Sequence, residues 1–205
     1  MSETGRVHQK ARTREALIRA ARQLLAEGGA PTVEETAAAA AISRATAYRY
    51  FPNQRALLVA TYPEIAASSL LGESPPSEPA ARLEIVAEAL TRQTVEHEAE
   101  LRAMLRLSLD PTAPKPGDLP LRIGRRIGWV ADALSPLRGR LPEHDLQQLV
   151  LAIASAVGID ALVWLTDVAG LTRPQAVTLM RWSARALLQA ALATASGDLD
   201  EQGSP

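Results

Sequence analysis

Between Gly28 and Asn53 the chain stops and restarts a helix three times, and that punctuation limits what the segment can build. Gly28-Gly29 supplies a left-handed stop for a first helix over about 13–27, with Leu17, Ala21, Leu24 and Leu25 on one face. Thr32-Val33-Glu34-Glu35 is a capping box: the threonine caps a second helix and the glutamate three positions on reaches back. That helix runs through alanines to about Ala40. Ser43 is placed to cap a third helix ending near Tyr50, and Pro52-Asn53 closes it and opens a fourth. Two short helices joined by a tight turn need small residues where they touch. Ala37 to Ala41 supply them, so the pattern is a helix-turn-helix.

The third helix carries the chemistry. Tyr48, Tyr50 and Phe51 are three of only seven aromatic residues in the chain. Ser43, Arg44, Thr46, Tyr48 and Arg49 offer hydroxyl and guanidinium groups that grip phosphates and read base edges. Ala45 and Ala47 are small, which leaves room for entry into a major groove about 12 Å wide. Arg44 is the candidate base reader, because a guanidinium bonds a guanine edge bidentately. Thr46 suits a base edge or a phosphate, Arg49 a phosphate, and Phe51 an anchor in the small core. Charge placement agrees: residues 1–60 carry nine Lys/Arg against five acids, the remainder thirteen against eighteen, so +4 faces −5. The plainer alternative is a solvated helix whose tyrosines pack locally.

Residues 32–37, then 41–51, then Asn53 and Leu57-Leu58, resemble the N-terminal domain of tetracycline-repressor (TetR) family regulators. The resemblance covers about residues 10–60 and is most specific from Ser43 to Phe51. It implies a homodimer on a palindromic operator in double-stranded DNA, a small-molecule effector held in a larger domain, and dimerisation through the last two long helices. It implies DNA-facing roles for Thr32, Ser43, Arg44, Ala45, Thr46, Tyr48, Arg49, Tyr50, Gln54 and Arg55, with the Tyr48 and Tyr50 hydroxyls on the phosphate backbone. The chain also departs from the family pattern. Ala41 stands where a glycine is usual in the turn, Thr36 where an apolar branched residue is usual, and Ala47 where a leucine is common. Gln54 replaces a lysine that often holds a phosphate, a task Arg55 or the start of the fourth helix could take over.

Beyond residue 60 the alanine- and leucine-rich composition, 47% hydrophobic, favours helix throughout, and no strand alternation is convincing. The expected fold is all-α with about nine helices: a three-helix DNA-binding domain over 10–60, a ligand-binding and dimerisation domain over 61–196, and a disordered tail over 197–205. The fourth helix is expected to reach about Leu71 with a kink at Pro63, a candidate lever between the two regions. Helices follow a proline-rich linker at about 80–95 and 97–109, then another proline-rich loop, then 121–134, 143–168 and 172–194. The chain has no cysteine, so thiolate chemistry and disulfides are excluded. Met1 to Lys10 is polar with no apolar run after it, so no secretory leader is expected. The apolar stretch Leu149–Leu165 is interrupted by Ser155, Gly158 and Asp160, so no membrane partner is expected and the location read is cytoplasmic.

In the larger domain Trp129 and Trp164, with Met104 and the carboxylate of Asp160, are candidates to line an effector pocket. The plainer reading makes the tryptophans core or interface and Asp160 half of an ion pair, with Arg181 or Arg185 as partner, or a dimer contact. Ala154, Ser155, Gly158 and Leu162 form a small-residue face on the 143–168 helix that suits a second subunit, with Arg181 and Arg185 nearby. His97 beside Glu98 and Glu100, and His144 beside Asp145, are read as surface charge. No metal, cofactor or catalytic residue is expected. An all-α enzyme with a basic appendage is the rival of another class, but it lacks a visible nucleophile–base set or phosphate loop. A ligand-independent architectural DNA binder is the other, and it predicts weak sequence preference.

Overall fold

The computed structural model describes residues 3–62, 68–109 and 125–202, with the backbone alone for 3–6 and 196–202. Its helices are α1 (Glu3–Ala26), α2 (Val33–Ala39), α3 (Arg44–Tyr50), α4 (Gln54–Thr61), α5 (Pro79–Glu96), α6 (Glu98–Leu109), α7 (Arg125–Ala133), α8 (Glu143–Ala156), α9 (Ile159–Val163) and α10 (Arg173–Gln202). A 3-10 turn at Ser135–Leu137 follows α7, and a π-helical turn at Trp164–Val168 extends α9. The fold is all-α among the described residues. No single helix among them is long and apolar enough to cross a membrane. The chain divides into two compact units, Met1–Ala66 with His97–Ile123, and Ala67–Glu96 with Gly124–Pro205.

In the first unit the glycine stop after the first helix acts as read. Gly28 adopts the left-handed conformation after α1 at φ +85°, and its N–H closes on the Leu25 carbonyl at 2.9 Å. α1 begins ten residues before the expected start. α4 ends at Thr61 rather than Leu71, and residues 68–71 are not helical. Tyr62 has left the helix at φ −109°, ψ 91°, the extended region favoured before a proline, whose ring crowds the α conformation. Pro63 and its expected kink lie outside the described residues. The Arg22 guanidinium donates to the Thr61 carbonyl at 3.1 Å, tying the end of α4 to α1. α6 packs against α1 and α4, so the segment after His97 belongs with the N-terminal helices.

The second unit packs α5, α7, α8 and α10 around Leu83, Val86, Leu90, Trp129, Val130 and Ile153. The helix expected over 143–168 is broken, which makes ten helices among the described residues instead of nine. Val157 leaves the α region, Gly158 is extended at φ −112°, ψ −177°, and the two parts meet at 45°. The break leaves room for a side chain from α7, which is why position 158 needs a glycine. An added Cβ on Gly158 would lie 1.1 Å from Nη1 of Arg126, whose guanidinium crosses that space to reach Asp160 at 2.7 Å. α10 continues to Gln202, past both the expected end at Thr194 and the start of the expected tail; residues 203–205 lie outside the described set.

Two polar ties hold this unit. Arg82, nearly buried on α5, donates to the carbonyls of Ala133 at 3.1 Å and Asp132 at 2.9 Å, which caps the orphan acceptors ending α7. Glu84, two residues on, accepts from Arg181 and Arg185 of α10. The Arg181 hydrogen bond, opposed by burial and supported by Arg185, holds the Glu84 carboxyl below its ordinary 4.5. A carboxylate with a depressed folded pKa adds stability above its unfolded value and loses it as pH falls through the folded one. Urea unfolding should therefore show wild type more stable than Glu84→Gln at pH 7, with the gap closing as pH drops below 4.5.

Candidate nucleic-acid interface

Short helices are mostly ends, so their caps matter more than their interiors. The Thr32 hydroxyl accepts from the Glu35 N–H at 3.2 Å, and the Glu35 carboxylate accepts from the Thr32 N–H at 2.8 Å, completing the capping box of α2. Ser43 accepts from the Thr46 N–H at 3.3 Å and caps α3, while Asn53 accepts from the Ala56 N–H at 2.8 Å and caps α4. Between α2 and α3 the chain reverses at Ala41, which holds φ +54°, and the Ile42 N–H returns to the Ala37 carbonyl at 2.9 Å. Beneath them Leu17, Ile18, Ala21, Val33, Ala37, Ala47, Phe51 and Leu57 form one apolar cluster.

α3 gives that cluster little besides Ala47, which is fully buried, while Tyr50 packs half-buried against its edge. Ser43, Arg44, Ala45, Tyr48 and Arg49 are exposed, and Thr46 is half-buried. The helix therefore presents a continuous polar side to solvent. Phe51 is buried as an anchor, with the Arg14 guanidinium 5.6 Å from its ring centre. Thr32 spends its hydroxyl on the cap. Gln54 turns its amide to the carbonyls of Ala30 at 2.7 Å and Pro31 at 3.2 Å, so it pins the loop before α2. Arg55 is half-buried on α4.

Glu34 is the residue that linear spacing missed. Its Oε1 accepts from Arg44 Nη2 at 3.1 Å and from the Tyr48 hydroxyl. The Tyr48 hydrogen bond, chiefly, with Arg44 beside it, holds the Glu34 carboxyl below its ordinary value. The same bond raises the Tyr48 phenol above its own. Glu34 lies ten and fourteen positions before its partners, and only the turn at Ala41 brings them together.

The other candidates fall as follows. Met104 is fully buried in the first unit, on α6, while Trp129 is buried in the core of the second. Trp164 is 58% exposed on the π-helical turn. Asp160 is paired, but with Arg126 of α7; Arg181 and Arg185 are engaged instead by Glu84. The small-residue face does not exist as one stripe, because the break at Gly158 separates its members. Ala154, Gly158 and Leu162 are buried inside their own unit, and Ser155 alone of the four is exposed. His97 is no surface charge. It faces Glu100 one turn on at 3.8 Å and meets the Tyr62 ring edge-on at 5.1 Å.

Two departures from the usual pattern carry local costs in this head. The Thr36 hydroxyl is fully buried with no hydrogen-bond partner, worth about 1–3 kcal/mol of lost solvation. Ala41 holds a left-handed conformation that its Cβ disfavours by about 1–2 kcal/mol. Ala41→Gly should raise stability by about 0.5–1 kcal/mol, less than the full relief because glycine loses more chain entropy, as a higher thermal midpoint would register.

Residues 17–61 match the model for bacterial regulatory proteins of the tetR family. A solved TetR transcriptional regulator from Rhodococcus sp. RHA1 superposes with a TM-score of 0.53 at 23% identity, over 91% of this chain and 98% of that one. No curated protein matches the chain.

Proposed function

We propose, from the match of residues 17–61 to the tetR-family model, that this protein is a ligand-responsive transcriptional repressor. In this reading it binds a palindromic operator as a homodimer and is released by a small-molecule effector. The observation that carries the DNA-binding part is the polar side of α3, where Ser43, Arg44, Tyr48 and Arg49 stand exposed over a helix anchored by Ala47. Arg44 reads a base edge; Ser43 and Arg49 position the helix on phosphates. Two such heads address successive major grooves about 34–36 Å apart. An effector that binds the operator-free form more tightly lowers operator affinity by linkage, to the extent of its differential affinity.

What supports the homodimer is an apolar surface on α8 and α10. Leu151 is 47% exposed, Leu179 37% and Trp182 57%. Trp182 stands beside a groove lined by Ala152, Ser155, Ala186 and Ala190. A large ring next to a small-residue groove is self-complementary about a two-fold axis, since each copy's tryptophan can fill the other's groove. This replaces the interior face that the sequence suggested.

Two measurements test the proposal. Arg44→Ala with Tyr48→Ala should weaken binding to a duplex selected by the wild-type protein at least about tenfold, with the thermal midpoint kept, and should relax preference at one base pair. Unaltered retention would remove DNA reading from α3. Trp182→Glu should leave the fold intact, because the side chain is already exposed, and should convert a dimer to monomers in sedimentation.

A further inference from the structure

α2 and α3 bring three side chains of different chemistry to one point on the exposed side of the head. Glu34 is a carboxylate set among the groups that face DNA, and one of its oxygens takes both the Arg44 guanidinium and the Tyr48 hydroxyl. Arg44 is 74% exposed in this pair, and ion pairs of that kind add little to folding stability. Their effect on binding is of another order. A phosphate approaching Arg44 or Tyr48 must displace the carboxylate and meets its like charge. A guanine edge carries acceptors without net charge, so it meets far less of that opposition. The carboxylate takes one hydrogen of Arg44 Nη2, and the second Nη2 hydrogen with an adjacent N–H still makes a fork that can address a base.

Resting on the DNA-binding reading, we propose that Glu34 is a specificity-determining residue. It withholds Arg44 and Tyr48 from the phosphates of arbitrary duplex while leaving the Arg44 fork available to one base edge. The residue thus limits generic affinity and widens the gap between cognate and random DNA, which is the quantity that matters against a genome of competing sites.

The test compares full-length wild type and Glu34→Gln on a random-sequence duplex and on a duplex selected by the wild-type protein, across a salt series. Glu34→Gln should bind the random duplex about tenfold more tightly, steepen its log–log salt slope by about one, and reduce the selected-to-random ratio about tenfold. Glu34→Ala should reproduce the gain, and thermal midpoints should confirm that both variants fold. Glu27→Gln removes one charge at the end of the N-terminal segment, outside this trio, and should stay within about twofold of wild type. Unchanged or weaker random-duplex binding in both Glu34 variants overturns the inference, as does an equal gain from Glu27→Gln. Failure of the wild-type protein to bind any duplex sinks the DNA-binding reading itself, a distinguishable result.

Discussion

The close approach of α2 and α3 across the turn at Ala41 is the constraint from which the head follows. Backbones that near can meet only over small side chains, and Ala37 and Ala47 fill the contact with no exposed surface. Helices of seven residues cannot stand on their own hydrogen bonds, because nucleation is costly and most of their donors and acceptors lie in the end turns. Thr32, Ser43 and Asn53 satisfy the first donors, and the cluster around Leu17, Phe51 and Leu57 supplies the packing. Because α3 gives that cluster chiefly Ala47, most of its remaining surface is free for recognition.

That economy carries strain. Ala41 occupies a region that suits glycine, and the Thr36 hydroxyl is buried without a partner. Both sit in or beside α2, near the recognition surface. Gln54 compensates in part by fastening the loop before α2 through two backbone carbonyls. In the second unit the comparable work falls to charged groups. Arg82 closes the carbonyl end of α7, and Glu84, two residues further along α5, holds two arginines of α10. These charges are partnered, which is what permits them at partly buried positions.

Much of the head was legible because its signals are local. Each cap involves residues three positions apart, and the stop at Gly28 needs only its own backbone freedom. The second unit was less so. A hydrophobic run over 143–168 reads as one helix, since nothing in its periodicity shows that Arg126, more than thirty residues earlier, crosses the space beside Gly158. The partner of Asp160 was misjudged for the same reason, as was the face containing Ala154 and Leu162. Spacing along an assumed straight helix no longer described which side chains share a side.

The order of elements in the head, its caps and the polar inventory of α3 were decided by the amino-acid sequence alone, because interactions spanning three or four residues depend on little else. Tertiary structure alone decided that Glu34 meets Arg44 and Tyr48, that Arg126 meets Asp160, and that Trp182 stays exposed while Trp129 is buried. Those pairings and exposures depend on how separate helices rotate as their apolar sides are buried, a rotation set by all the packed neighbours at once.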